Sequence, residues 1–179
     1  KDKKGGIVHV NIEQNELNFV INSHYNFCCD VGHWIQNIIP HLKHKVRPIW
    51  FDYIHDLKED GDFKLVKSEN KIHMEHVLSE IYEDTKTKDV VFTTGVGNHQ
   101  MQAYQFIKSD YPGKIISSGS LGVMGAGLPY SIGAQIANPN KTVICIDGDS
   151  SFNMTLTDLK TIVEHNLPIK IAIMNNSSQ

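Results

Sequence analysis

The sequence predicts an α/β protein whose larger part is a doubly wound parallel sheet, and three observations carry the prediction. From residue 72 onward, short apolar runs of strand length alternate with segments of helical periodicity, the order of a parallel sheet covered on both faces. Two of the runs, KTVICID at 141–147 and PIKIAIM at 168–174, are rich in β-branched residues and read as buried strands. The polar or glycine-rich stretches at 94–99, 117–127, 147–151 and from Asn175 onward each follow a predicted strand. In an open parallel sheet such loops meet beyond the carboxyl ends of the strands, where ligands bind.

Element by element, residues 7–12 (IVHVNI) alternate apolar and polar and predict a strand, and residues 25–30 (YNFCCD) a short second one. Val31, Ile35, Ile38 and Ile39 have helical spacing, with Pro40 near the end of that helix. Residues 1–45 thus read as the close of a βα unit. A helix over 47–58 puts Trp50, Ile54 and Leu57 on one face, and the polar stretch 58–70 reads as a linker, so 46–71 is expected to be a linker helix and loop. The second unit, 72–179, is predicted to run helix 74–82, strand 89–94, helix 97–108, strand 114–117, helix 127–137, strand 141–147, helix 155–165 and strand 168–174.

A chain of 179 residues, 40% of them hydrophobic, holds one full domain and part of another. With 17 basic and 20 acidic residues, it offers no polycationic surface for nucleic acid or an anionic membrane. No apolar run approaches the roughly 20 residues of a membrane helix. Cys28, Cys29 and Cys145 form neither a C-x-x-C pair nor an even set, which fits a reducing compartment and a packing role. The histidines before Val90, His41 and His44 among them, lack a convincing ligand set and read as surface residues. The N-terminus, without an initiator Met or an apolar leader core, is expected to be a cut.

The chemistry concentrates at two strand ends. One strand ends in Asp147-Gly148-Asp149-Ser150-Ser151, the next in Asn175-Asn176. Asp149 and Asn176 are 176 − 149 = 27 residues apart, room for a turn, a helix and a return strand, so both reach one sheet edge. A carboxylate and a side-chain amide suit Mg²⁺, which takes one or two protein oxygens and fills its octahedron with phosphate and water. The helix after Asp149 offers free backbone N–H groups to phosphate oxygens, and Ser150 and Ser151 add hydroxyls. Asp-Gly and Asn-Asn also form turns, but their pairing on neighbouring strand ends favours a site.

Gly148-Asp149-Ser150 with Asn175-Asn176 resembles the thiamine diphosphate signature. TTGVGNHQM (93–101), SSGSLGVMGAGLPYSIGAQIA (117–137) and IDGDSSFNMTLTDL (146–159) are similar to acetolactate synthase in particular, and CCDVGHWIQNIIPHL (28–42) to the close of that family's middle domain. The resemblance implies a thiamine-diphosphate-binding fold preceded by the end of an FAD-associated middle domain, with Asp30 near the FAD adenosine. It implies Mg²⁺ on Asp149, the Asn176 side chain and the Ser178 carbonyl. Ser177 and Ser178 stand where the family commonly has acidic residues. Val96, Gly97, Asn98, His99, Gly148, Ser150 and Ser151 would surround the diphosphate, Asn98 replacing a glutamine one methylene longer. Met124 would prop the bent cofactor, and the Gly122 carbonyl would accept from its aminopyrimidine. Gly119, Gly122, Gly125 and Gly127 would allow close backbone approach and positive φ.

The implied activity is decarboxylation of pyruvate and carboligation to a second 2-oxo acid, pyruvate or 2-oxobutyrate, in branched-chain amino acid biosynthesis. A homodimer or higher oligomer, a possible regulatory subunit and possible FAD in the intact enzyme follow. So does a cytoplasmic site in a bacterium, or a plastid or mitochondrion in a eukaryote. The glutamate that polarises the pyrimidine would come from a neighbouring subunit, and the chain, ending after the metal loop, is expected to be an inactive fragment. The alternatives are another thiamine-diphosphate lyase or decarboxylase, or a non-catalytic cofactor-binding remnant. A dinucleotide-binding dehydrogenase is disfavoured, since no G-x-G-x-x-G follows a first strand.

Overall fold

The computed structural model describes residues 5–61, 65 and 71–176. The chain divides into two compact units, 1–60 and 61–179.

In the first unit, β1 (Val8–Asn11) and β2 (Tyr25–Cys28) pair in parallel, from Val8 opposite Tyr25 to Asn11 opposite Cys28. Asp30 caps α1 (Val31–Ile38) by accepting the His33 N–H at 2.9 Å, and a 3-10 turn at Ile39–His41 takes up Pro40. α2 (Pro48–Gly61) corrects the linker prediction at its start: Lys58, Glu59 and Asp60 continue the helix. Lys and Glu are good helix formers, so polarity alone marked the wrong boundary. Residues 62–64 and 66–70 of the expected linker lie outside the described residues. No described residue of this unit is buried, and Phe19, Val20 and Ile49 are largely exposed.

The second unit is built on a four-stranded parallel sheet in the order β4-β3-β5-β6, made of β3 (Val90–Thr94), β4 (Ile115–Ile116), β5 (Thr142–Gly148) and β6 (Lys170–Met174). The strand pleat divides its core. Val90, Phe92, Ile144, Ile146 and Met174 face Leu78 of α3 (Met74–Thr85) and Ala103 of α4 (Asn98–Phe106). Val91 and Val143 face Ala134 of α5 (Gly127–Ala137) on the other side. Each strand carries apolar residues both ways, so periodicity is lost and the run reads as continuous. Cys145, fully buried in β5, has its thiol pushed up to about 12 by burial. The packing expectation holds for that cysteine and fails for Cys28, which is exposed.

The predicted helix 155–165 is broken into a 3-10 turn, Leu156–Asp158, and α7 (Leu159–Glu164). A separate short helix, α6 (Asp149–Asn153), starts directly at the end of β5, so Asp149, Ser150 and Ser151 form a helical first turn rather than a loop. The connection from β3 to β4 runs through α4 on one face, and that from β5 to β6 through α7, which touches α5 on the other. The chain therefore leaves β3 and β5 in opposite directions. Adjacent strands with diverging connections open a crevice at their carboxyl ends, the place where doubly wound sheets bind ligands.

Candidate functional site

That crevice is a cleft of about 480 Å³. Val96, Gly97, Asn98 and His99 after β3, Gly148, Asp149, Ser150 and Ser151 after β5, Met124, and Asn176 after β6 all line it. Every predicted cofactor residue is there except Gly122, which lies two residues before Met124 at an exposed turn with φ of 62°. Ser178 lies outside the described residues. Met74 and Met174 also line the cleft and had not been singled out, because a methionine in an amphipathic helix or at a strand end reads as core.

Local packing explains why these side chains converge. Asp147, the last residue but one of β5, is fully buried and accepts the Gly148 N–H at 3.0 Å. His99 Nε2 approaches Asp147 Oδ1 at 3.3 Å, close but out of line for a hydrogen bond, and His99 is only 4% exposed. Gly95 and Gly127 close around this carboxylate: a Cβ on Gly95 would lie 2.3 Å from Asp147 Oδ1, and one on Gly127 2.6 Å from Oδ2. Gly127 is thus required for close approach; of the four glycines expected to use positive φ, only Gly119, Gly122 and Gly125 do so. A side chain at Gly148 would come within 2.8 Å of His99 Nδ1. Three buried polar atoms at these strand ends, Thr94 Oγ1, His99 Nε2 and Asp147 Oδ2, make no hydrogen bond. Buried polar atoms are nearly always satisfied, and among the described residues these are three of five exceptions, the others being Gln102 Oε1 and Gln135 Oε1, so they concentrate at the cleft without being confined to it.

Sequence reading missed Asp147 and Gly95. Asp147 sits inside the motif that was read, and its place at the end of a buried strand was the available signal. The partly buried Asp149 and the exposed Asn176 bring a carboxylate and an amide to the same cleft from neighbouring strands β5 and β6. Among the described residues no group of three His, Cys, Asp or Glu side chains could hold a metal, so a metal here would rest on mixed oxygen donors.

Residues 95–179 match the family described as thiamine pyrophosphate enzyme, C-terminal TPP binding domain, and that match covers the loops lining the cleft. Along nearly its whole length the chain is similar to acetolactate synthases. It is 39% identical to the mitochondrial acetolactate synthase catalytic subunit of Saccharomyces cerevisiae, over 98% of this chain and 26% of that protein. It is 34% identical to the acetolactate synthase isozyme 2 large subunit of Escherichia coli, over 95% of this chain and 30% of that one. The acetolactate synthase large subunit of Cyanidium caldarium is 44% identical over 73% of this chain and 22% of its own length. The chain belongs to the acetolactate synthase family. It spans between about a quarter and a third of the length of the relatives it matches most fully. Its parallel α/β sheet is consistent with the thiamine pyrophosphate-binding fold. No helix among the described residues is long and apolar enough to cross a membrane.

Proposed function

We propose that this chain forms part of an acetolactate synthase and supplies the diphosphate and metal side of a thiamine diphosphate site. The observation that carries the reading is the meeting of Asn98, His99, Met124, Asp149 and Asn176, drawn from four separate loops, around one cleft. The donors fit the group. Asp149 and the Asn176 amide oxygen are the hard ligands Mg²⁺ takes alongside phosphate and water, with the Ser178 carbonyl as the third protein oxygen. His99 and Asn98, at the start of α4, and the first turn at Ser150 and Ser151 face the diphosphate. Gly97 and Gly148 carry no side chain to fill the space. Met124 supports the ring portion, and Gly122 offers its carbonyl.

When bound, thiamine diphosphate supplies the carbon acid and electron sink for decarboxylating a 2-oxo acid. The substrates are pyruvate and a second 2-oxo acid, pyruvate or 2-oxobutyrate. Residues 1–45 belong to an FAD-associated middle domain, 46–71 link it to the cofactor domain, and the intact enzyme works as a homodimer or larger assembly with a regulatory subunit. Its compartment follows the source: the relatives include proteins named mitochondrial and chloroplastic.

Calorimetry with thiamine diphosphate and Mg²⁺ tests the reading. The wild-type chain should bind in a Mg²⁺-dependent manner, and Asp149→Ala should weaken binding by at least about tenfold, the loss that even the outer residues of metal sites produce. Equal binding by the two proteins would sink it. No glutamate is among the described residues that line the cleft, and the chain alone is expected to make no acetolactate from pyruvate.

A further inference from the structure

We propose that Ser151 and Thr155 are positioning residues that clamp the backbone of Gly125, and so fix the loop carrying Met124 to the segment carrying Asp149. The proposal rests on the reading of the cleft as a thiamine diphosphate site.

The loop between β4 and α5 is poorly supported at its tip. Leu121 is 82% exposed and Met124 41%, and the 3-10 turn Gly119–Leu121 buries nothing. Within the tip, the Val123 N–H donates to Ser118 Oγ at 2.8 Å, a contact internal to the loop. Ser117 Oγ meets the Tyr104 hydroxyl at 2.8 Å where the loop begins, and beyond its tip the loop is fastened to the unit at Gly125. Its N–H donates to Ser151 Oγ at 2.9 Å, and its carbonyl accepts from Thr155 Oγ1 at 2.8 Å. Both backbone groups of one residue are thus held by hydroxyls from the stretch that follows Asp149.

The clamp also explains the glycine. Gly125 is buried with φ of +80°, a conformation that L side chains rarely adopt, and a Cβ there would approach Met154 Cβ and Thr155 Cγ2 at 3.1 Å each. Glycine lets the loop press against the 151–155 segment closely enough for two short bonds. Met124 is the preceding residue, and its α-carbon shares a peptide plane with the Gly125 nitrogen, so fixing that N–H fixes where the methionine leaves the backbone. The loop that would meet the cofactor's rings and the turn that would hold its metal are registered to each other directly, by side chains, rather than through the length of α5.

Thr155 is the cleaner probe, because Ser151 also abuts Gly95, whose Cβ position lies 2.1 Å from Ser151 Oγ. Thr155→Val removes the hydroxyl and keeps the shape; Thr155→Ser restores it. The first measurement is residue-resolved amide hydrogen exchange on the free chain. Thr155→Val leaves the Gly125 N–H bonded to Ser151 but frees its carbonyl, and loss of one hydrogen bond of ordinary strength should make local opening, and with it exchange at Gly125, about fivefold more frequent, with Thr155→Ser at the wild-type rate. Amides of β3 and β5 should not change. The second is calorimetry in Mg²⁺ with two probes: thiamine diphosphate should bind about fivefold more weakly to Thr155→Val, and inorganic diphosphate within about twofold of wild type. Unchanged exchange at Gly125, a general loss of protection across β3 and β5, or equal weakening of both probes would each overturn the proposal. Failure of the wild-type chain to bind either probe would instead sink the cofactor reading, and the exchange result would still decide the clamp.

Discussion

The two ends of the second unit's sheet are made from the same strands and solve opposite problems. At the amino end three of the four strands are preceded by a charged residue: Asp89 before β3, Lys114 before β4 and Lys141 before β5. Lys141 pairs with Asp89 at 3.0 Å, and the nearly buried Lys114 with Asp110 at 2.8 Å. The ring of Tyr111 lies near both ammonium groups, 5.5 Å from Lys114 and 5.6 Å from Lys141, while its hydroxyl donates to the Val90 carbonyl at 2.8 Å. At the carboxyl end, glycines replace large side chains and buried polar atoms are left without partners. One end closes the sheet with paired charges, with Gln135 Oε1 beside Lys141 left without a partner, and the other leaves room and three such polar atoms, Thr94 Oγ1, His99 Nε2 and Asp147 Oδ2, around a cleft. Substitutions at the two ends should therefore differ in kind as well as in size.

The largest effect is expected at Gly95. A methyl group there would sit 2.1 Å from Ser151 Oγ and 2.3 Å from Asp147 Oδ1, both in buried residues. Relief would require moving the carboxylate that orders the cleft. Gly95→Ala should cost about 3 kcal/mol or the folded unit itself, at the upper end of overpacking effects. Chemical denaturation followed by circular dichroism measures it, and a loss under about 1 kcal/mol would mean that this end is looser than its geometry indicates.

A smaller and more local loss is expected at the other end. Tyr111→Phe deletes the hydrogen bond to Val90 and keeps the ring near the two lysines. It should lower stability by about 1 kcal/mol, the ordinary net worth of such a bond, with binding at the cleft unchanged. The same denaturation and calorimetry decide this, and altered cofactor affinity would show that the two ends are coupled.

The contrast also explains what was legible in the sequence. Alternation of helices with apolar strands is a property of contiguous segments, so the sheet and its crossovers could be read, and α5 was placed at its observed bounds. The residues of the cleft were reachable because they follow strand ends and because Asp149 and Asn176 resemble a known pattern. Three things were not legible. Asp147 depends on burial among Gly95, His99 and Gly127, residues brought together only by the fold. The clamp on Gly125 joins groups 26 and 30 positions apart. The break between α6 and α7 follows from hydrogen bonds such as that of Thr155 to Gly125, which divert the chain where periodicity alone predicts one helix from 155.

The smallest effect is expected from Asp110, and its pH dependence separates a screened surface carboxylate from a structural one. Its hydrogen bond to Lys114 holds the Asp110 carboxyl below the usual 3.8, and the same bond raises the Lys114 ammonium above its usual 10.5. A carboxyl whose folded pKa is depressed stabilises the fold above its unfolded pKa and loses that contribution as pH falls through the folded value. A raised lysine stabilises below its unfolded pKa and loses the contribution as pH rises through the folded one. The stability difference between wild type and Asp110→Asn should thus be flat from about pH 5 to 9. It should shrink below pH 3.8 as the carboxylate is protonated, and again above pH 10.5 as the ammonium is lost. Because Asp110 stands in solvent while Lys114 is nearly buried, salt should also reduce the difference. Thermal melts of both proteins across that pH range would show it, and a difference that persists unchanged at pH 2 would mean that Asp110 holds this end by packing rather than by charge.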